Sequence, residues 1–424
     1  MTRKTAPNKA SPAKASASAA RRELPFEIDA RHQPPLGMSP DAFLRDYWHK
    51  RPLLIRNAFP GFESPLQPED LAGLACEEGA LSRIVMHDRA NDRWTLRQGP
   101  FEEDEFPGMP HQDWTLLVQD MDKWDADVGA LLEHFAFLPR WRIDDIMISF
   151  AAPGGSVGPH TDHYDVFLLQ AQGHRRWQID ASLAMGRPAP SQEFRPDVEL
   201  KLLREFTPTH DWVLGPGDML YLPPSVPHNG VAEDACLTFS VGMRAPAAAE
   251  LLGDFVDTLA ADADEALRYA DPDLAAAADP AEIDAAAMNR AVEALNLLRM
   301  NDPDRLGDWF GRFMTVYRAA GEVHPGEDNR SRIEIEWDLQ QGASLQRHPW
   351  SRMAWRRAHR KGEPARLYVS GHDYALPAGD ASLIANSTVL DGAAYAELSE
   401  DGRDCVIALL QAGHYRLALA DEEE

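Results

Sequence analysis

A chain of 424 residues exceeds one ordinary compact domain, so two or three are expected. Its 68 acidic against 42 basic residues give a formal charge of -26, which repels phosphate and excludes broad nucleic-acid binding; it suits a basic partner, or solubility alone. Cys76, Cys236 and Cys405 form neither a disulfide framework nor a paired zinc motif, which fits a reducing, cytoplasmic setting, and no apolar run is long enough to span a membrane.

The first residues, Met1 to Arg22, are rich in Ala, Ser, Pro, Lys and Arg and contain no acid. They read as a disordered basic tail over residues 1–24, unable to bury enough apolar surface to fold, with a transit peptide as the alternative. Ser39 to His49 reads as a capped helix: Ser39 as N-cap, Pro40 in the first turn, and Phe43, Leu44 and Tyr47 on one face. Arg51 to Arg56 is a short apolar run of strand type, and Glu69 to Glu78 a further helix. From Arg83 to Gly242 short β runs alternate with Gly and Pro. The clearest are 114–118, 146–150, 166–169, 177–179, 219–222 and 237–241, a pattern of sandwiches and barrels.

At Ala245 the composition changes. Pro246 to Tyr317 is rich in Ala and Leu, with Leu251, Leu252, Phe255, Leu259 and Leu267 at helical spacing, followed by Leu295, Leu298 and Phe310. Beyond Glu334 the pattern is mixed. Ile333, Ile335 and Trp337 alternate, Trp350 to His359 reads as a helix, Arg366 to Val369 as a strand, and 384–390 and 406–410 as further elements. A small α+β unit of about ninety residues is expected there.

The informative stretch runs from Gly154 through Gly158, Pro159, His160 and Asp162 to Phe167. In an extended run, side chains two apart share a face, so His160 and Asp162 project together and His163 points away. Gly215-Pro216-Gly217-Asp218 and the strand after it lead to His228. Two histidines and one carboxylate make the facial triad of non-haem Fe(II) oxygenases, which leaves metal positions open; the alternative is that both histidines satisfy buried hydrogen bonds. Strand alternation puts Arg175 with Trp177 and Ile179 on an inward face, and Arg176 with His174 and Gln178 outside. A buried cation requires an anion. That anion is either the distal carboxylate of 2-oxoglutarate or a carboxylate of the protein. Thr238 and Ser240 oppose Leu237, Phe239 and Val241, and Ser149 stands between Ile148 and Phe150. These hydroxyls either bind co-substrate oxygens or are satisfied polar residues of a barrel wall.

Taken together, Tyr47-Trp48 and Lys50-Arg51-Pro52 with the run to Arg56, Trp114 to Gln119, Pro159-His160 with Asp162 and Tyr164-Asp165, and Pro227-His228 resemble the JmjC-type ribosomal oxygenases. The resemblance is to the bacterial branch that hydroxylates an arginine of large-subunit ribosomal protein L-sixteen. It runs from about Phe43 to Arg244, and Arg366 to Pro377 is similar to that branch's C-terminal module. It implies a mixed α/β (α+β) chain with a double-stranded β-helix (cupin/JmjC) core over 25–245, a helical dimerisation region over 246–330 and a winged-helix-like domain over 331–424. It further implies that His160, Asp162 and His228 bind Fe(II), and that Arg175 binds 2-oxoglutarate, with Ser149, Thr238 and Ser240 as further contacts. Thr238 stands where enteric members are expected to carry Asn, and its hydroxyl replaces one hydrogen bond of the amide. The loop from Ala181 to Phe206 has no clear counterpart.

The expected reaction consumes molecular oxygen and 2-oxoglutarate and hydroxylates the β-carbon of an arginine on a basic ribosomal protein of the large subunit. Tyr164 and Asp165 are the candidates to receive the guanidinium; the alternative for Asp165 is to brace its strand. A homodimer is expected, with no membrane and no direct DNA contact. Three other readings are a histidine hydroxylase of ribosomal protein, a cupin metalloenzyme that does not use 2-oxoglutarate and so needs no Arg175, and a non-catalytic scaffold.

Overall fold

In the computed structural model, residues 24–189, 192–272, 274–276, 279–298, 302–316, 323–326 and 330–419 are described. The basic tail expected over 1–24 lies outside them, except for its last residue. The helix after Ser39 spans Pro40–Asp46, and the Ser39 hydroxyl accepts from the Ala42 N–H as an N-cap should. Phe43 and Tyr47, on its inner face, are buried in the main core.

The strands on either side of this helix are β1 (Glu27–Asp29) before it and, after it, β2 (Leu53–Arg56), β3 (Ser82–Asp88), β4 (Arg93–Gln98), β5 (Trp114–Val118), β6 (Ile143–Ala151), β7 (Val166–Gln172), β8 (Arg175–Ile179), β9 (His210–Leu214), β10 (Met219–Leu222), β11 (His228–Ala232) and β12 (Cys236–Met243). They form a nine-stranded sheet of order β1-β2-β10-β7-β12-β6-β5-β3-β4 and a three-stranded sheet of order β11-β8-β9. A bridge between His160 and His228 adds one more rung to the small sheet. From β6 to β12 the chain passes repeatedly between the two sheets, and this alternation is the double-stranded β-helix. Period-two patterning sorts the faces. Leu237, Phe239 and Val241 of β12 enter the main core with Phe43, Tyr47, Phe167 and Tyr221, whereas Thr238 and Ser240 face the space between the sheets.

The segment after Ala245 holds helices at Ala248–Ala261, Ala285–Asn296 and Pro303–Thr315. Leu251, Phe255 and Leu259 pack on Trp309, Phe313 and Met314. Leu267, expected on the same helical face, lies past the end of its helix and is exposed. Arg244 ties this segment to the barrel by donating to the carbonyls of Phe313, Met314 and Val316, the unpaired acceptors at a helix C-terminus.

The C-terminal unit contains β13 (Ser344–Arg347), β14 (Met353–Arg356), β15 (Ala365–Val369), β16 (His372–Leu376), β17 (Val389–Asp391) and β18 (Tyr415–Ala418). Two readings change there. Ile333, Ile335 and Trp337 alternate but belong to the helix Arg332–Gln340. Its start is fixed by a reciprocal capping box of Ser331 and Glu334, and Ile335 and Leu339, four apart, are the buried pair. The helix read over Trp350 to His359 is instead β14, held by pairing from Met353↔Val369 to Arg356↔Arg366. Among the described residues no helix is long and apolar enough to cross a membrane.

Candidate active site

Gly158 leads into the site in a left-handed conformation, φ +80°, and a Cβ there would lie 2.9 Å from Leu202. Only glycine turns the chain there without strain. His160 then forms the bridge to His228, each backbone N–H donating to the other's carbonyl at 3.0 Å. Beyond His160 the chain is not a strand but bends at His163 and Tyr164. Asp162 is fixed by the Ser225 N–H, which donates to its carbonyl at 2.7 Å.

One ligand atom from each of His160, Asp162 and His228 falls within 4.8 Å of the others, the only such group among the described residues. His163 is exposed and stands outside it, as the alternation implied. His160 Nδ1 lies 2.8 Å from the Gly158 carbonyl, and His228 Nδ1 lies 2.9 Å from that of Val226. A carbonyl only accepts, so both Nδ1 atoms carry the proton and both Nε2 lone pairs remain for a metal. Burial and the neighbouring His160 hold His228 well below the ordinary imidazole range, at about 4, and hence neutral. Two imidazoles and a carboxylate fit Fe(II), and they fit other divalent ions too.

Arg175 is 3% exposed. One guanidinium nitrogen donates to Ser149 Oγ at 3.1 Å and Thr238 Oγ1 at 3.4 Å, the other to the Gly230 carbonyl at 3.3 Å. Among the described residues no carboxylate forms an ion pair with it, and its Nε has no acceptor. Of the two partners open for this cation, a protein carboxylate is therefore not what the fold supplies. Thr238 Oγ1 also donates to Gln170 Oε1 at 3.1 Å, so this hydroxyl braces the guanidinium from behind. Arg176, on the outer face, pairs with Asp211 and Glu233.

The metal trio and Arg175 line one cavity of about 280 Å³ together with Ser149, Thr238 and Ser240. Tyr164 stands at its mouth, where a second hollow of about 340 Å³ shares Asp144 and Asp145 with it. Asp165, read beside Tyr164 as a guanidinium acceptor, is elsewhere. Its carboxylate is fully buried, accepts from Tyr221 Oη at 2.6 Å, and sits 3.1 Å from His49 Nε2 and 3.7 Å from Arg142. It braces the start of β7 against β10 and the turn at His49 that follows the N-terminal helix. Besides the ligand Asp162, the acids lining the cavity are Asp144 and Asp145, an adjacent pair near the start of the mostly apolar β6; that interruption was the available signal. Burial pushes the Asp145 carboxyl up to about 7, against the pull of Lys123. Trp177 is a further lining residue to which the sequence reading gave no role.

The family model of the JmjC domain matches residues 130–251, and that of the ROXA-like winged helix matches 298–416. The chain is 39% identical over 305 residues to the ribosomal protein uL16 3-hydroxylase of Escherichia coli, covering 72% of this chain and 79% of that protein. It is 42% identical over 223 residues to a probable ribosomal oxygenase of Haemophilus influenzae, 51% of this chain and 52% of that one. The solved structure of E. coli YcfD superposes with a TM-score of 0.80 at 32% identity, covering 90% of this chain and 99% of that one. The same protein with cobalt and 2-oxoglutarate gives a TM-score of 0.76 at 32% identity over the same 90% and 99%. The double-stranded β-helix core and the C-terminal winged helix expected from the resemblance are both borne out.

Proposed function

The chain belongs to the JmjC-type ribosomal oxygenases, and from that membership we propose that it hydroxylates the β-carbon of an arginine in the large-subunit ribosomal protein L-sixteen, the uL16 of its E. coli relative. It is an Fe(II)- and 2-oxoglutarate-dependent dioxygenase. The observation that carries the reading is Arg175, a buried guanidinium that no carboxylate among the described residues neutralises, in the same cavity as the metal trio. A cupin that made no use of a dicarboxylate would have no need of it.

Bound iron and 2-oxoglutarate supply the oxidising power that places a hydroxyl on an unactivated carbon, the oxo acid leaving as succinate and carbon dioxide with molecular oxygen consumed. The chain's own residues hold and orient. His160, Asp162 and His228 would hold the metal, and the carbonyls of Gly158 and Val226 fix both rings. Arg175, braced by Ser149 and Thr238, takes the distal carboxylate. Val166, Leu168 and Trp177 supply an apolar side to a cavity that is otherwise mostly polar. At the mouth, Asp145 with Tyr164 suits a cationic side chain, the role first read for Asp165. An uncharged imidazole would add no cation beside Asp145 beyond the pull of Lys123, whereas a guanidinium would, which favours arginine over histidine as the substrate residue.

We assign 25–245 to catalysis, 246–330 to dimerisation and 331–424 to the winged-helix-like domain, with the basic tail before them. Exposed Leu252, Val256, Met288, Val292 and Leu295 on the helical segment support a homodimer. The formal charge of -26 supports a cytoplasmic encounter with a basic ribosomal protein and opposes a DNA-reading role for the winged helix. Succinate release measured with and without an L-sixteen peptide tests the reading: turnover stimulated by the peptide supports it, and indifference to the peptide removes that substrate.

A further inference from the structure

The pairing of β5 with β6 ends at Val118↔Ile148, so the start of β6, which carries Asp144 and Asp145, projects past its neighbour. Backbone groups at such an edge must find other partners. Here side chains supply them. The Ile146 N–H donates to Asp122 Oδ1 at 2.8 Å, and Lys123 Nζ donates to the Asp144 carbonyl at 2.9 Å. The rest comes from the C-terminal unit. One guanidinium nitrogen of Arg352 donates to the Ile143 carbonyl at 2.5 Å, and the other to the carbonyl and Oδ1 of Asp144 at 3.3 and 3.2 Å. Arg352 is itself firmly planted. Its side chain is 11% exposed, its carbonyl accepts from the Ser370 N–H at 3.0 Å, and Met353 beside it lies in the C-terminal core. Trp350 meets Trp124 edge to face, centroids 6.1 Å apart, on the short helix Met121–Trp124 that also bears Asp122 and Lys123. The Asp120 N–H just before that helix donates to Asp145 Oδ2 at 3.1 Å.

The two acids are thereby divided. Asp144, half-exposed, is engaged by Arg352. Asp145 turns Oδ2 to the backbone and Oδ1 to the cavity, where a Cβ at Gly242 would lie 3.4 Å from that oxygen and 4.0 Å from the Tyr164 ring. Resting on the reading that Asp145 receives the substrate guanidinium, we propose that Arg352 is a positioning residue for the peptide: through it the C-terminal unit holds the start of β6 so that Asp145 faces the cavity mouth. The winged-helix unit is thus part of the frame of the substrate site, and not only an appended module.

The test is steady-state kinetics of the full-length, Fe(II)-loaded protein with an L-sixteen peptide, alongside calorimetry with 2-oxoglutarate. Arg352→Met keeps the aliphatic stem and removes every donor. It should raise the peptide KM about tenfold, as a small displacement of a binding group implies, with kcat at saturating peptide and the Kd of 2-oxoglutarate within about twofold of native. Arg352→Lys, which restores the charge and a donor, should recover most of that loss. The pH profile separates positioning from general damage. Asp120, Asp122 and Lys123 surround Asp145 on one side, and Arg83, Tyr164 and Glu250 line its hollows on the other; none of these changes in the variant. With Arg352 gone, Asp144 acts on Asp145 without its counter-charge, so the peptide KM should level off at a higher pH than in the native protein. A native peptide KM in Arg352→Met, a Kd of 2-oxoglutarate that weakens in step with the peptide KM, or an Arg352→Lys no better than Arg352→Met would overturn the proposal. A native protein that did not turn over the peptide, or an Asp145→Asn variant with native KM, would instead remove the reading of Asp145 on which it rests, and the proposal with it.

Discussion

His160 and His228 lie 68 positions apart in the sequence, yet their backbones exchange two hydrogen bonds of 3.0 Å, so one bridge sets both imidazoles before any metal arrives. With Asp162 Oδ2 3.6 Å from His228 Nε2, the ligands are gathered by the fold and not by the ion. Replacing His160 or Asp162 by Ala should therefore leave a folded protein that has lost turnover. A chelator should lower the melting temperature of the native chain, and metal restored at 100 times its Kd should return about 2.7 kcal/mol. Asp162→Ala should show neither change. Turnover retained in either variant would remove the trio from the chemistry.

The same site makes stability depend on pH. Folded, His228 titrates near 4; unfolded, it titrates at the ordinary 6.5. Between these values the unfolded chain binds more protons, so the metal-free protein should lose stability as pH falls through that window. His228→Gln should flatten that part of the curve. A melting temperature independent of pH from 6.5 to 4 would contradict the buried, neutral imidazole.

Arg175→Met should weaken 2-oxoglutarate binding about a hundredfold in calorimetry while leaving metal binding intact, because among the described residues the cation meets only neutral partners. Unchanged affinity would mean that the distal carboxylate lies elsewhere.

Asp145 should act on the peptide and not on the oxo acid. Its carboxyl titrates near 7 because it is buried, and a guanidinium binds the ionised form. Peptide affinity should therefore rise with pH up to about 7 and level off above it. Asp145→Asn should raise the peptide KM at least tenfold, abolish that pH dependence, and leave the Kd of 2-oxoglutarate unaltered. A change in the Kd of 2-oxoglutarate alone would contradict the assignment.

Asp165→Ala should damage folding more than chemistry. It removes the acceptor of Tyr221, the partner of His49 and the counter-charge of Arg142 from a fully buried position, a loss of about 3 kcal/mol in denaturant unfolding. Native stability with lost peptide binding would return Asp165 to the substrate pocket.

The sequence discloses what depends on neighbours two residues away. Alternation along β12 separates Thr238 and Ser240 from Leu237, Phe239 and Val241, and the same rule sets Arg175 inward and Arg176 outward. It fails where partners are remote. Asp165 is buried because His49 and Tyr221 reach it from 116 and 56 positions away, which no local pattern around Tyr164 reveals. Asp145 enters the cavity through the packing of β6 against β5 and β12. In the C-terminal unit, the spacing of Ile333, Ile335 and Trp337 is compatible with strand or helix. The capping box at Ser331 and the burial of Leu339 choose the helix, while Met353–Arg356 becomes a strand only because β15 lies beside it.

The central claim is tested most directly by mass spectrometry of an L-sixteen peptide incubated with the protein, Fe(II), 2-oxoglutarate and air, with fragmentation to locate any added oxygen. One oxygen should be gained on the β-carbon of a single arginine, absent without 2-oxoglutarate and absent with His160→Ala. An unmodified peptide accompanied by succinate would discard the substrate and keep the oxygenase. An unmodified peptide with no succinate under any condition would contradict the account as a whole.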